Sequence, residues 1–117
     1  MELAGRVAIV TGSGKGMGPS IAETLAREGA DLMLCGRDLA ALEKVSERVR
    51  ILGRRAFVGS CDVCKSADVE AMVTNTLRML GGRIDILVNA AGGTGPLTAY
   101  SVIAALKDLT ATFRAGT

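Results

Sequence analysis

Four short apolar runs recur along the chain, and three of them lead into a segment with apolar residues at helical spacing. The runs are Arg6–Val10, Asp31–Cys35, Arg55–Ser60 and Ile84–Val88. The first and last are almost continuously apolar, as expected of strands covered on both faces. The first helix is expected from about Pro19 to Glu28, with Ile21, Ala22, Leu25 and Ala26 on one face and Gly29 as its stop. Pro19 suits a first turn, where its missing N–H has no partner to lose. A second helix is expected after Asp38 as N-cap, with Leu39, Leu42, Val45, Val49 and Leu52 facing the core and Gly53 ending it. A third is expected after Ser66 as cap, with Asp68 near its positive end. Its buried stripe is Val69, Met72, Val73, Leu77 and Leu80, closed by Gly81 and Gly82.

Strands that alternate with helices over short connections predict an α/β fold: a doubly wound parallel sheet with helices on both faces. Right-handed crossovers then give the strand order 3-2-1-4. A crevice opens at the carboxyl ends of strands one and four, where the order reverses. One side of it carries the stretch Thr11-Gly12-Ser13-Gly14-Lys15-Gly16-Met17-Gly18, and the other carries Asn89 to Gly92.

Glycines let a backbone turn tightly and approach a phosphate, and a helix that follows points free N–H groups at the same place. The stretch is neither of the usual nucleotide motifs. Met17 interrupts a G-x-G-x-x-G continuation, and Lys15 is not followed by Ser or Thr as in a P-loop. The glycines alone also fit a merely tight strand-to-helix turn. With a strand before and a helix after, a nucleotide pyrophosphate seated on the turn is the expectation.

Composition removes several functions. The 117 residues are enough for one domain and a core without disulfides. Net charge is +2 and aromatics make up 3%, so there is neither a basic stripe nor a stacking platform for nucleic acid. No apolar run reaches the length of a membrane span, and Met1 to Arg6 lacks a signal-peptide pattern. A cytoplasmic protein is expected. Three cysteines, Cys35, Cys61 and Cys64, argue against a disulfide framework. There is no histidine, which removes the usual general base and most zinc sites. Cys61-x-x-Cys64 also fits a dithiol or half a zinc site, with Cys35 on a neighbouring strand, although three thiols fall short of four ligands.

Thr11-Gly12-x-x-x-Gly16-x-Gly18 after strand one, Asp62-Val63 after strand three and Val88-Asn89-Ala90-Ala91-Gly92 after strand four resemble the short-chain dehydrogenase/reductase family. The similarity runs from about Leu3 to Gly92, nearest to bacterial members of the 3-oxoacyl-acyl-carrier-protein reductase type. The resemblance implies a Rossmann-type fold and an oxidoreductase that works on a carbonyl/alcohol pair with a nicotinamide dinucleotide. It implies that Gly12, Gly16 and Gly18 line the pyrophosphate, within a turn that includes Ser13, Lys15 and Met17, and that Thr11 stabilises it. Asp62 would meet the adenine amino group and Val63 the ring; Asp62 also fits an approach cap for the next helix. Asn89 would join the central strands and face the ribose, followed by Ala90, Ala91 and Gly92. Ala90 stands where the family often has a second Asn.

An acid at the end of strand two would hold a free ribose 2′-hydroxyl and repel a 2′-phosphate. Here the residues are Cys35-Gly36-Arg37, with no acid until Asp38. Arg37 offers a fork matched to phosphate, and Lys15 adds a second positive charge. Arg37 also fits a solvated loop. NADP(H) is expected over NAD(H).

The family's Tyr-x-x-x-Lys pair has no counterpart. The only tyrosine is Tyr100, and Lys107 follows seven positions on, two helical turns away. Ser101 adjoins the tyrosine instead of preceding it by many residues. No catalytic residue and no metal ligand is assigned. The chain reads as one partial dinucleotide-binding domain over 1–117, truncated after the fourth strand and one helix. Residues 93–117 form an irregular tail with a helix over 101–114. Thr98 to Thr117 resembles the family poorly, as a shifted reading frame or a truncation would explain. The chain is expected to be inactive alone, and the open edge at strand four predicts self-association, with a homo-oligomer expected. The alternative is a non-catalytic nucleotide-binding fragment that pairs with a partner chain.

Overall fold

The computed structural model describes residues 2–12, 14, 16–62 and 65–89, Asn89 by its backbone. The order is β1 (Val7–Thr11), α1 (Gly18–Arg27), β2 (Asp31–Gly36), α2 (Leu39–Ile51), β3 (Ala56–Ser60), α3 (Ser66–Met79) and β4 (Ile86–Asn89). The four strands are parallel in the order β3-β2-β1-β4, as the alternation of elements predicts. The expected helix over 101–114 and the tail lie outside the described residues.

Side chains alternate across a strand, and here both alternations are apolar. Val7 and Ile9 of β1, with Met33 and Cys35 of β2, meet Val69, Met72, Val73 and Leu77 of α3. Ala8, Val10, Leu32 and Leu34 meet Ala22 and Ala26 of α1 and Leu42, Val45 and Val49 of α2. One face of the sheet therefore carries α1 and α2 and the other α3. All three helices end in the same way, with a glycine at positive φ (Gly29, Gly53 and Gly81) and a backbone bond from the residue after it, such as Ala30 N–H to the Leu25 carbonyl at 3.1 Å. Among the described residues no helix is long and apolar enough to cross a membrane.

Three local expectations are corrected. Leu39 and Leu52 share the spacing of the buried stripe but are exposed, because they sit at the two ends of α2, beyond the sheet. The stripe that is buried is Leu42, Val45, Ser46 and Val49. Ser46 is tolerated there because its hydroxyl donates to the Glu43 carbonyl at 2.8 Å. Ser66 does not cap α3: it is the first helical residue, Lys65 is the N-cap, and no side chain caps that end.

The fourth strand starts at Ile86 instead of Ile84, and Asp85 just before it is bonded to Val7 of β1. Its carboxylate accepts the Val7 N–H at 2.8 Å, while its own N–H donates to the Val7 carbonyl at 2.8 Å. Arg83 lies 2.7 Å and Arg6 3.5 Å from the same carboxylate. Asp85 thus joins the entry of β4 to the entry of β1. Asp31 plays the corresponding part between β2 and β3, accepting the Arg55 N–H at 2.9 Å and the Arg55 guanidinium at 2.9 Å.

Desolvation pushes the Asp85 carboxyl up, but the Arg83 and Val7 hydrogen bonds and the Arg83 and Arg6 charges outweigh it, and the net direction is down. A group depressed on folding contributes stability that is complete above its unfolded value, about pH 4, and is lost as pH falls through the folded value. Asp85→Ala leaves the buried Val7 N–H without its acceptor and is expected to cost about 2 kcal/mol in urea unfolding near neutral pH. Arg83→Ala removes an exposed pairing and is expected to cost much less than Asp85→Ala in the same measurement. In Asp85→Asn the loss of stability below about pH 4 should be shallower than in the unsubstituted chain, read from thermal melts across pH.

Candidate functional site

The carboxyl ends of the four strands form one edge. Thr11 ends β1, fully buried, and pairs in register with Cys35 on one side and Asn89 on the other. Its hydroxyl donates to the Val88 carbonyl of β4 at 3.4 Å. Beyond Thr11 the chain leaves the sheet through Gly12 at φ 66° and Gly16 at φ 59°. A methyl group at Gly16 would meet nothing within 4 Å, so the backbone angle, not crowding, is what asks for glycine there.

Met17 is the N-cap of α1, largely exposed, and its carbonyl accepts the Ile21 N–H at 3.0 Å. Gly18 opens the helix and is buried, with Pro19 next. The Met17 side chain makes no capping hydrogen bond, and no acid lies in the first turn. The contrast with α2 is direct: there the Asp38 carboxylate accepts the Ala41 N–H at 3.2 Å, as its N-cap assignment predicts. A helix start behind a glycine turn presents backbone N–H groups and the positive end of the helix dipole, which together suit an anion.

Arg37 follows the end of β2 and is exposed. Asp62 lies two residues beyond the end of β3, half-buried, with its N–H donating to the Asp68 carboxylate at 2.9 Å and its carbonyl accepting the Lys65 N–H at 2.9 Å. Asp68 is therefore the residue that ties the exit of β3 to the first turn of α3, a contact the sequence signals only as an acid in a first turn. Asp62, Arg37, the glycine turn and Asn89 follow adjacent strands in that order. At roughly 4.8 Å per strand they span about 14 Å, a row suited to an elongated ligand lying across the strand ends. Ser13, Lys15, Val63, Ala90, Ala91 and Gly92 lie outside the described residues, as do Cys64, Tyr100 and Lys107.

Cys35 and Cys61 carry thiols and sit in the same core cluster as Val7, Ile9 and Met33. Burial, reinforced by Cys61, pushes the Cys35 thiol up. Burial pushes Cys61 up to about 11, with the charges of Asp68 and Asp62 adding to it. Among the described residues no three Cys, Asp or Glu side chains gather as a metal site. A thiolate is the reactive form. At about pH 8, iodoacetamide is therefore expected to leave Cys35 and Cys61 unlabelled in the folded chain and to label both in guanidinium, read by peptide mass mapping.

The chain matches the family model for short chain dehydrogenases over residues 6–112. It is 38% identical over 96 residues to the 7alpha-hydroxysteroid dehydrogenase of Escherichia coli strain K12, covering 82% of this chain and 37% of that protein. It is similar to an NAD+-bound xylitol dehydrogenase, with a TM-score of 0.86 at 30% identity over 96% of this chain and 50% of that one. It is similar also to a metagenomic short-chain oxidoreductase in complex with NADP, with a TM-score of 0.74 at 30% identity over 97% of this chain and 54% of that one. The chain spans about two fifths of the length of the curated relatives it matches and about half that of the solved structures.

Proposed function

The chain belongs to the short-chain dehydrogenase family, and from that premise we propose that it is the dinucleotide-binding part of an oxidoreductase acting on a carbonyl/alcohol pair, with NADP(H) preferred over NAD(H). The observation that carries the reading is the turn from Thr11 to Gly18, where Gly12 and Gly16 at positive φ lead into the start of α1, whose N-cap residue Met17 makes no side-chain capping bond. The residues fit the pyrophosphate: backbone N–H groups and the helix dipole supply the attraction, and no first-turn acid opposes it.

The cofactor preference rests on the residues after β2. Arg37 is exposed at the strand end, and the nearest following carboxylate, Asp38, is engaged as the cap of α2. A guanidinium without a competing acid favours a 2′-phosphate over a 2′-hydroxyl. Similar proteins are found with either form, the xylitol dehydrogenase with NAD+ and the metagenomic oxidoreductase with NADP, so the family by itself does not choose. Asp62 is proposed to accept from the adenine amino group, with Val63 against the ring, and Asn89 to Gly92 to flank the ribose. Thr11 holds the exit of β1 against β4 beneath them.

When bound, the nicotinamide supplies hydride transfer. This chain's part is to seat and orient it; no residue here is assigned to proton transfer, and no turnover is proposed for the chain alone. A soluble homo-oligomer in the cytoplasm remains the proposal for its setting.

Calorimetric titration is expected to give tighter binding for NADPH than for NADH, with the NADPH affinity falling more steeply as salt is added. Arg37→Ala is expected to weaken NADPH roughly tenfold to a hundredfold and to leave NADH within about twofold, since only the former loses a charge-assisted contact. Equal losses for both dinucleotides would refute the assignment of Arg37. A folded chain that binds neither would refute the function.

A further inference from the structure

We propose that the capped first turn of α2 is a fixed wall that shapes the glycine turn, with Ala41 and Leu42 acting as positioning residues for the site above. The proposal rests on the nucleotide-binding reading for its consequence, but its geometry stands apart from it. Gly14 is the residue that shows the contact. Its φ is not in the left-handed region, unlike those of Gly12 and Gly16, so backbone angle does not explain a glycine there. Space does. A methyl group on Gly14 would lie 3.1 Å from the Ala41 Cβ and 3.6 Å from the Leu42 Cδ2. The first distance is inside ordinary carbon–carbon contact.

The wall has little room to yield. The Ala41 N–H is held by the Asp38 carboxylate at 3.2 Å, and the Leu42 N–H by the Asp38 carbonyl at 3.1 Å. Leu42 is fully buried in the core shared with α1 and the sheet. Added bulk at the contact must therefore displace the turn instead of the helix. The same Leu42 side chain would lie 3.5 Å from a methyl group on Gly36, at the end of β2. One buried side chain thus underlies both the glycine turn and the strand end that leads to Arg37, and sets their separation.

The test is a steric swap. In Gly14→Ala, NADPH binding by calorimetry is expected to weaken roughly tenfold, the effect of overpacking relieved by moving the turn. The double variant Gly14→Ala/Ala41→Gly removes the opposing methyl group and is expected to return to within about twofold of the unsubstituted chain. Without ligand, the amide NMR resonances of Gly12 and Gly16 should shift in Gly14→Ala and return in the double variant. Ala41→Val presses on the same contact from the helix side, so the comparison stands if Gly14→Ala does not fold. Unmoved resonances in both single variants, or a double variant that does not recover, would overturn the wall. If the unsubstituted chain fails to bind NADPH while the ligand-free shifts follow the swap, the nucleotide reading falls and the wall remains.

Discussion

β1 is paired on both edges and covered on both faces, and the rest of the architecture follows from that position. Strand order reverses at β1: β2 and β3 extend the sheet one way, and β4 returns to the other side. The helices are divided accordingly, α1 and α2 on one face and α3 on the other. In parallel sheets of this kind a crevice lies at such a reversal. A chain emerging there has to turn at once into α1, and the glycines between Thr11 and Gly18 meet that need.

The two edges of the sheet are built in opposite ways. At the amino edge, carboxylates bridge strands: Asp85 joins β1 to β4, Asp31 joins β2 to β3, and arginines accompany both. At the carboxyl edge, the acids nearest the crevice bond to backbone N–H groups, Asp38 to that of Ala41 and Asp68 to that of Asp62. Arg37 stands exposed among them, and the N-cap of α1, Met17, makes no side-chain capping bond. The carboxylate bridges of the amino edge hold the register of the strands.

Cys35 and Cys61 show how a reactive residue type can serve as core volume. Cys61-x-x-Cys64 has the spacing of a dithiol, yet Cys61 packs with Cys35 against α3 in apolar surroundings that favour the neutral thiol. Their part, among the described residues, is core volume against α3. Leu42 shows the reverse. It reads as one more apolar residue at helical spacing, and it turns out to lie against both the glycine turn and the end of β2.

Strand and helix type, the parallel order β3-β2-β1-β4, the Asp38 cap and the core stripes of α2 and α3 over their central turns were all legible in the chain itself. They rest on local signals: apolar period, turn residues and short connections that restrict the possible crossovers. The family resemblance carried by Thr11–Gly18, Asp62 and Asn89 was equally local. What the chain alone did not determine depends on contacts distant in sequence. Leu39 and Leu52 have the right spacing but lie beyond the sheet, so burial was decided by how far the neighbouring surface extends. Asp85 takes as its partner the N–H of Val7, seventy-eight positions away. Gly14 is crowded because α2 packs against the turn, a closeness set by the shared core and visible only once the elements are assembled.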